Sequence, residues 1–202
     1  MKITTNMEAD ALAQSPGVLE ALPREIANAV TGDRMKLIHS AADGHATVRM
    51  QFTLPPHAMG APLHYHLTFV ESFDILDGRL QMTIGSERTR RRLAPGERIE
   101  VAPGTLHSFN NPHETPVTFV TEAAPAAEFE KFIRSMYGLA NDGRTNRDGM
   151  PADFLHLALI LDFADLYFPS VPAALQRVAR KALGGFARSI GKERELSKYY
   201  AA

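Results

Sequence analysis

His64 and His66 flank Tyr65 in the run Gly60-Ala-Pro-Leu-His-Tyr-His-Leu-Thr-Phe-Val-Glu71. In an extended segment successive side chains point to opposite faces, so the two imidazoles share a face and lie within reach of one ion, while Tyr65 points away. Imidazole at this spacing can bind a metal. It is equally the pattern of two polar residues on a solvated strand, and the pair alone does not separate these readings. The chain has no cysteine, which removes disulfides, thiolate zinc sites, iron–sulfur ligation and a cysteine nucleophile. Any metal must therefore be held by His, Asp or Glu.

The elements around the pair are strands. Between about Met35 and Glu122, Val48, Met50, Phe52 and Leu54 alternate with Arg49, Gln51 and Thr53, as on a strand with one buried face. Leu80, Met82 and Ile84 repeat the pattern after Asp77-Gly78, which reads as a type I′ hairpin turn. Gly85-Ser86, Pro95-Gly96, Pro103-Gly104 and Asn111-Pro112 punctuate the chain thereafter. Short strands at such intervals predict a closed or two-sheet β architecture. Arg88 to Arg92 reads as a solvated edge strand, where basic side chains discourage sheet-to-sheet association.

After Pro125 the period becomes helical. Three helices are expected, over 126–139, 153–168 and 173–190, the last two separated by Pro169 and Pro172. The segment 154–168 is strongly apolar. As a helix it would cover only about 22 Å of a ~30 Å hydrocarbon layer, and Asp162 and Asp165 oppose insertion, so it reads as a helix buried against protein. From Ala173 onward seven Lys or Arg face two Glu. Arg177, Arg180, Lys181 and Arg188 beside Leu175, Val178, Leu183 and Phe186 make an amphipathic helix, expected to pack its apolar side on its own protein or a twin subunit rather than on an anionic membrane. The organisation expected is an N-terminal arm over 1–34, a β-barrel over 35–125 and a helical extension over 126–202.

The 202 residues carry 22 Lys plus Arg and 23 Asp plus Glu, a balance that gives no global attraction to nucleic acid. The stretch MKITTNMEADALAQSPG lacks the apolar core of a signal peptide, and the cytoplasm is the expected location.

Glu71 follows His66 after four residues and Gly78 follows after six more. A second cluster runs from Gly96 through Gly104 and His107 to Asn111. Together these stretches resemble the cupin superfamily, small β-barrels of jelly-roll type. Gly60, His64, His66, Glu71 and Gly78 match its first motif, with three rather than five residues between Gly60 and His64. Gly96, Gly104, His107 and Asn111 match its second. Ala102 stands where that motif has proline, and the proline comes one residue late as Pro103, which puts the turn before His107 in question. The resemblance covers about residues 45–122. It implies a mostly β fold, a jelly-roll barrel with a C-terminal helical extension, and carries the family's metal ligands over to His64, His66, Glu71 and His107.

Three neutral imidazoles and one carboxylate suit one divalent ion among Fe, Mn, Ni, Zn, Co and Cu, with one or two positions left for a small molecule. Because ligand imidazoles must be neutral, affinity is expected to fall as the pH drops below about 6. The resemblance implies a small-molecule enzyme, dioxygenase-like (as quercetinases are) or isomerase-like, with Glu71 also taking a proton. The alternative is a non-catalytic ligand-binding or sensor module in which the helical tail relays occupancy. A homodimer is expected, with no nucleic-acid partner and no membrane association. His39, His45, His57 and His113 read as loop histidines and His156 as a packing residue. Phe52, Phe73, Met82 and Phe109 read first as barrel core and second as the lining of a pocket.

Overall fold

The structure, a computed structural model, describes residues 22–68, 70–86, 88–124 and 128–201. The amino-terminal stretch read above for targeting lies outside the described residues, as does Ala126, where the first helix was expected to begin.

Two antiparallel sheets face one another. In the larger, the strand order is β1 (Glu25–Ala27), β2 (Arg34–His39), β3 (Val48–Leu54), β10 (Val117–Ala124), β5 (Val70–Asp77) and β8 (Arg98–Val101). The smaller has β7 (Thr89–Leu93), β6 (Leu80–Ile84) and β9 (His107–Asn110). Along β3 every second residue, Val48, Met50, Phe52 and Leu54, is buried and the residues between are half-buried, as the alternation predicts. The inner faces of both sheets share one core, in which Phe73 of β5 and Phe109 of β9 lie 5.5 Å apart between ring centroids. This is a jelly-roll barrel. Among the described residues β7 pairs with β6 alone, and Arg90, Arg91 and Arg92 are exposed, in keeping with a solvated edge.

Asp77-Gly78 does not make the expected hairpin. β5 and β6 lie in different sheets, and of the two turn residues only Gly78 has positive φ (75°). The turn is a corner where the chain passes from one sheet to the other. A Cβ on Gly78 would stand 2.4 Å from the Pro116 carbonyl oxygen, so the corner needs glycine for close backbone approach.

The helical region begins with α1 (Phe129–Asn141), which packs Phe129, Ile133 and Tyr137 into the barrel core. Its buried Glu130 pairs with Arg134 at 2.8 Å and accepts hydrogen bonds from Ser40 Oγ (2.8 Å) and Ala41 N (3.0 Å), while Arg134 donates to Pro23 O (2.8 Å). Satisfied in this way, the buried charges fasten α1 to the strand region. A second core forms among α1, α2 (Phe154–Phe163), α3 (Ala173–Ser189) and a short α4 (Lys192–Ser197), around Leu139, Leu159, Ile160, Phe163, Ala187 and Leu196.

One expectation for this region needs correction, and another, that α3 packs its apolar side on its own protein or a twin subunit, loses its first alternative. The helix predicted to run to Phe168 stops at Phe163, and Leu166–Tyr167 form a strand, β11, paired with β4 (Tyr65–His66). Asp165 causes the break, because its φ of +46° cannot continue a right-handed helix. On α3, the face turned inward is Gln176, Arg180, Gly184 and Ala187, whereas Leu175, Val178 and Phe186 are exposed. Arg180 faces inward because its guanidinium finds carbonyl acceptors there. Among the described residues no helix is long and apolar enough to cross a membrane, and α2 with ten residues spans about 15 Å.

Candidate metal centre

Two local pairings assemble the site. His64 N donates to His107 O (2.9 Å) and His107 N to His64 O (2.8 Å), a mutual antiparallel pair that puts both imidazoles on one face. The Ala102-Pro103-Gly104 departure leaves the turn before His107 intact: Thr105 N donates to Ala102 O (3.1 Å), and Gly104 N donates to His66 O (2.6 Å). The second motif is thus hydrogen-bonded directly to the first. Glu71 reaches the same interior from β5, opposite Val101 of β8. Gly60 (φ 58°) lies so close to β9 that a Cβ there would stand 2.3 Å from the Phe109 carbonyl oxygen. Asn111 is fully buried and donates to Pro55 O and Thr115 O (both 2.9 Å), which fixes the loops beside β9.

His64, His66, Glu71 and His107 come together as the resemblance implied. Each offers one ligand atom, these atoms lie within 4.8 Å of one another, and all four residues are buried. Each imidazole directs Nδ1 at a main-chain carbonyl: His64 at Pro62 O (2.7 Å), His66 at Ala164 O (2.8 Å) and His107 at Thr105 O (3.0 Å). A carbonyl only accepts, so Nδ1 carries the proton and donates. In the neutral ring this leaves a lone pair on Nε2. The three Nε2 atoms point inward. His64 Nε2 and His66 Nε2 are 3.1 Å apart, and His107 Nε2 is 3.0 Å from Glu71 Oε2.

Electrostatics make the first of these contacts informative. Burial, with added repulsion from His107 and His66, holds the His64 pKa well below the ordinary histidine value. Burial lowers that of His66 as well, partly offset by Glu71. Both rings are therefore neutral at pH 7, and their Nε2 lone pairs face each other without a hydrogen between them. A cation between them removes that conflict. For His107, burial pulls the pKa down, but the hydrogen bond to Glu71 and its charge outweigh burial and leave the pKa raised. Bonds of about 2.0–2.2 Å to one ion place ligand atoms roughly 3 to 4.4 Å apart, so the donor set fits a first-row divalent ion in chemistry and nearly in spacing.

The remaining histidines stay apart from this group. His57 pairs with exposed Glu114 at 3.0 Å, and His39 and His45 stack on each other with centroids 4.5 Å apart. His113 sits in a turn whose amide donates to Asn111 Oδ1, and His156 is buried in α2 with its amide facing the Asp153 cap. Phe52, Phe73 and Met82 are buried and packed with partly buried Phe109 and with Phe119, which is the barrel-core reading.

The family model described as Cupin domain matches residues 50–121. This segment is a cupin domain. No curated protein matches the chain significantly. Among solved structures, a cupin-superfamily sugar phosphate isomerase from Silicibacter pomeroyi is 21% identical with a TM-score of 0.43, over 47% of this chain and 60% of that one. The polyketide cyclase RemF of Streptomyces resistomycificus is 20% identical with a TM-score of 0.42, over 46% and 64%. A predicted oxalate decarboxylase from Thermotoga maritima is 22% identical with a TM-score of 0.43, over 52% and 94%. The chain thus spans less than two thirds of the first two proteins.

The partners of the site outside the cupin segment carry no motif in the sequence. Ala164 acts through a backbone carbonyl, which has no sequence signal. Asp165 lay inside what reads as a continuous apolar helix.

Proposed function

We propose that the protein is a metal-dependent enzyme that binds one divalent first-row transition ion through Nε2 of His64, His66 and His107 and a carboxylate oxygen of Glu71, and acts on an oxygen-bearing small molecule in a dioxygenase-like or isomerase-like reaction. The observation that supports it best is the 3.1 Å approach of two imidazole nitrogens whose Nδ1 protons are already committed to carbonyls. Bound there, the ion supplies Lewis acidity and exchangeable positions for substrate oxygen.

The chain's own residues supply orientation, dryness and a base. The carbonyls of Pro62, Ala164 and Thr105 fix the three rings. Phe73, with its ring edge-on to His107 at 6.4 Å, and the aromatic core behind it exclude water from that side. Glu71, the single carboxylate of the group, accepts the proton removed from substrate on the carboxylate oxygen that does not hold the ion.

One observation favours a second reading, a non-catalytic ligand-binding or sensor module: the helical extension touches the site directly, through Ala164 O and His66 Nδ1. The proposed location is the cytoplasm. The proposed assembly is a homodimer, supported by exposed Leu175, Val178 and Phe186 on α3 and Ile190 at its C-cap. Metal analysis of the purified protein, followed by oxygen consumption and product analysis on flavonols, catechols and diketones, tests the reading. Turnover that depends on the metal supports the enzyme; tight binding of one of these compounds without product supports the module.

A further inference from the structure

The three site imidazoles do not obtain their orientation in the same way. His64 and His107 each donate to a carbonyl two residues earlier in their own loops, Pro62 and Thr105. His66 donates to Ala164, 98 positions away, at the junction between α2 and β11. The geometry points to Asp165 as a positioning residue for the metal centre, holding the turn that aims the Ala164 carbonyl at His66; this rests on the metal-binding reading given above.

Several contacts converge on that turn. Asp165 Oδ2 accepts three hydrogen bonds from the residues just after His66: Leu67 N (2.8 Å), Thr68 N (2.9 Å) and Thr68 Oγ (2.9 Å). On the opposite strand, Leu166 pairs with His66 and Tyr167 with Tyr65, whose rings stack at 5.4 Å. The left-handed backbone of Asp165 turns the chain out of α2 so that Ala164 O and Oδ2 face the same segment, and Asp and Asn are the non-glycine residues that tolerate this region best. From α3, the buried Arg180 donates to Leu161 O (2.9 Å) and Leu166 O (3.3 Å), approaches Asp165 Oδ1 at 3.6 Å and lies over the Tyr167 ring at 4.1 Å. The turn is thereby gripped from both sides, and the orientation of His66 depends on the docking of the extension.

Cobalt(II) serves as the probe. Asp165→Gly keeps the left-handed backbone and removes the acceptor, whereas Asp165→Asn keeps an acceptor oxygen. Outer-shell partners typically contribute 10- to 100-fold to metal affinity. D165G is expected to bind Co2+ about 10- to 100-fold more weakly in a competition titration and to show a changed visible absorption spectrum. D165N keeps the affinity within about threefold and the spectrum of the unchanged protein. Lys198→Gln, in an exposed ion pair of the extension, leaves both unchanged. A folded D165G with unaltered affinity and spectrum overturns the assignment. Should D165G not fold, hydrogen exchange on the unchanged protein decides, because coupling is reciprocal and metal loading must then protect the amides of residues 164–167 along with those of 67 and 68. Loading that leaves 164–167 unprotected overturns it. An unchanged protein that takes up no Co2+ overturns the metal reading itself, and this inference with it.

Discussion

His64 and His107, 43 positions apart in the chain, exchange both of their backbone hydrogen bonds, and their rings stand 4.2 Å apart between centroids. The pairing belongs to the backbone, so it survives loss of either ring. His107→Ala is therefore expected to remain folded by circular dichroism while its affinity for Co2+ falls by more than about 100-fold, beyond the usual effect of an outer-shell change. A variant that unfolds, or that binds Co2+ normally, contradicts this view of the bridge and of the ligand set.

Glu71→Gln tests the second role given to the carboxylate. General base groups contribute typically about 10²- to 10⁴-fold to rate. On whichever substrate of the panel is turned over, E71Q should lose activity in that range at saturating metal. Undiminished turnover removes Glu71 from the chemistry.

Metal should also stabilise the fold. An ion present at about 100 times its Kd adds about 2.7 kcal/mol, which for a chain of this size raises Tm by roughly 5 to 10 °C. Thermal melts in EDTA and in excess Co2+ or Zn2+ measure the difference, and coincident melts exclude a site of appreciable affinity.

Gly60→Ala places a Cβ 2.3 Å from the Phe109 carbonyl oxygen at a φ of 58°. Backbone must move to admit it, and a loss of about 1–3 kcal/mol in urea unfolding is expected. A cost below about 0.5 kcal/mol would show that β9 can shift away freely.

The extension carries a pH dependence of its own. The hydrogen bond from Lys192 holds Asp153 at about 2, and those from Arg144 and then Lys192 hold Glu195 at about 2. Both values lie below those of the unfolded chain, so the stabilisation is complete above about pH 4.5 and is lost as the pH falls toward 2. The groups are partly exposed and screened. Glu195→Gln should accordingly lower Tm by only roughly 1 to 3 °C at pH 7, and the gap should close by pH 2. A gap that persists at pH 2 assigns the effect to packing.

The cupin segment was readable because its information is local: alternation along β3, glycines at forced turns, and ligands spaced for one face. What escaped was non-local. Asp77-Gly78 has hairpin composition, but burial of both sheets' inner faces turned it into a corner. The apolar run through Phe168 looks helical throughout, since Leu166 and Tyr167 are buried whether in a helix or a strand. The direction of Arg180 was equally hidden, as its partners are carbonyls that any sequence provides.

The three orienting acceptors around the centre are all peptide oxygens. Exchanging the side chain of Pro62, Thr105 or Ala164 leaves those oxygens in the chain, so drift at these three positions has little direct hold on ring orientation. Retuning the centre would instead require shifts in main-chain path, through a loop one residue longer or shorter or through a residue such as Asp165 whose side chain holds that path, and an engineer seeking a different ion preference would begin there.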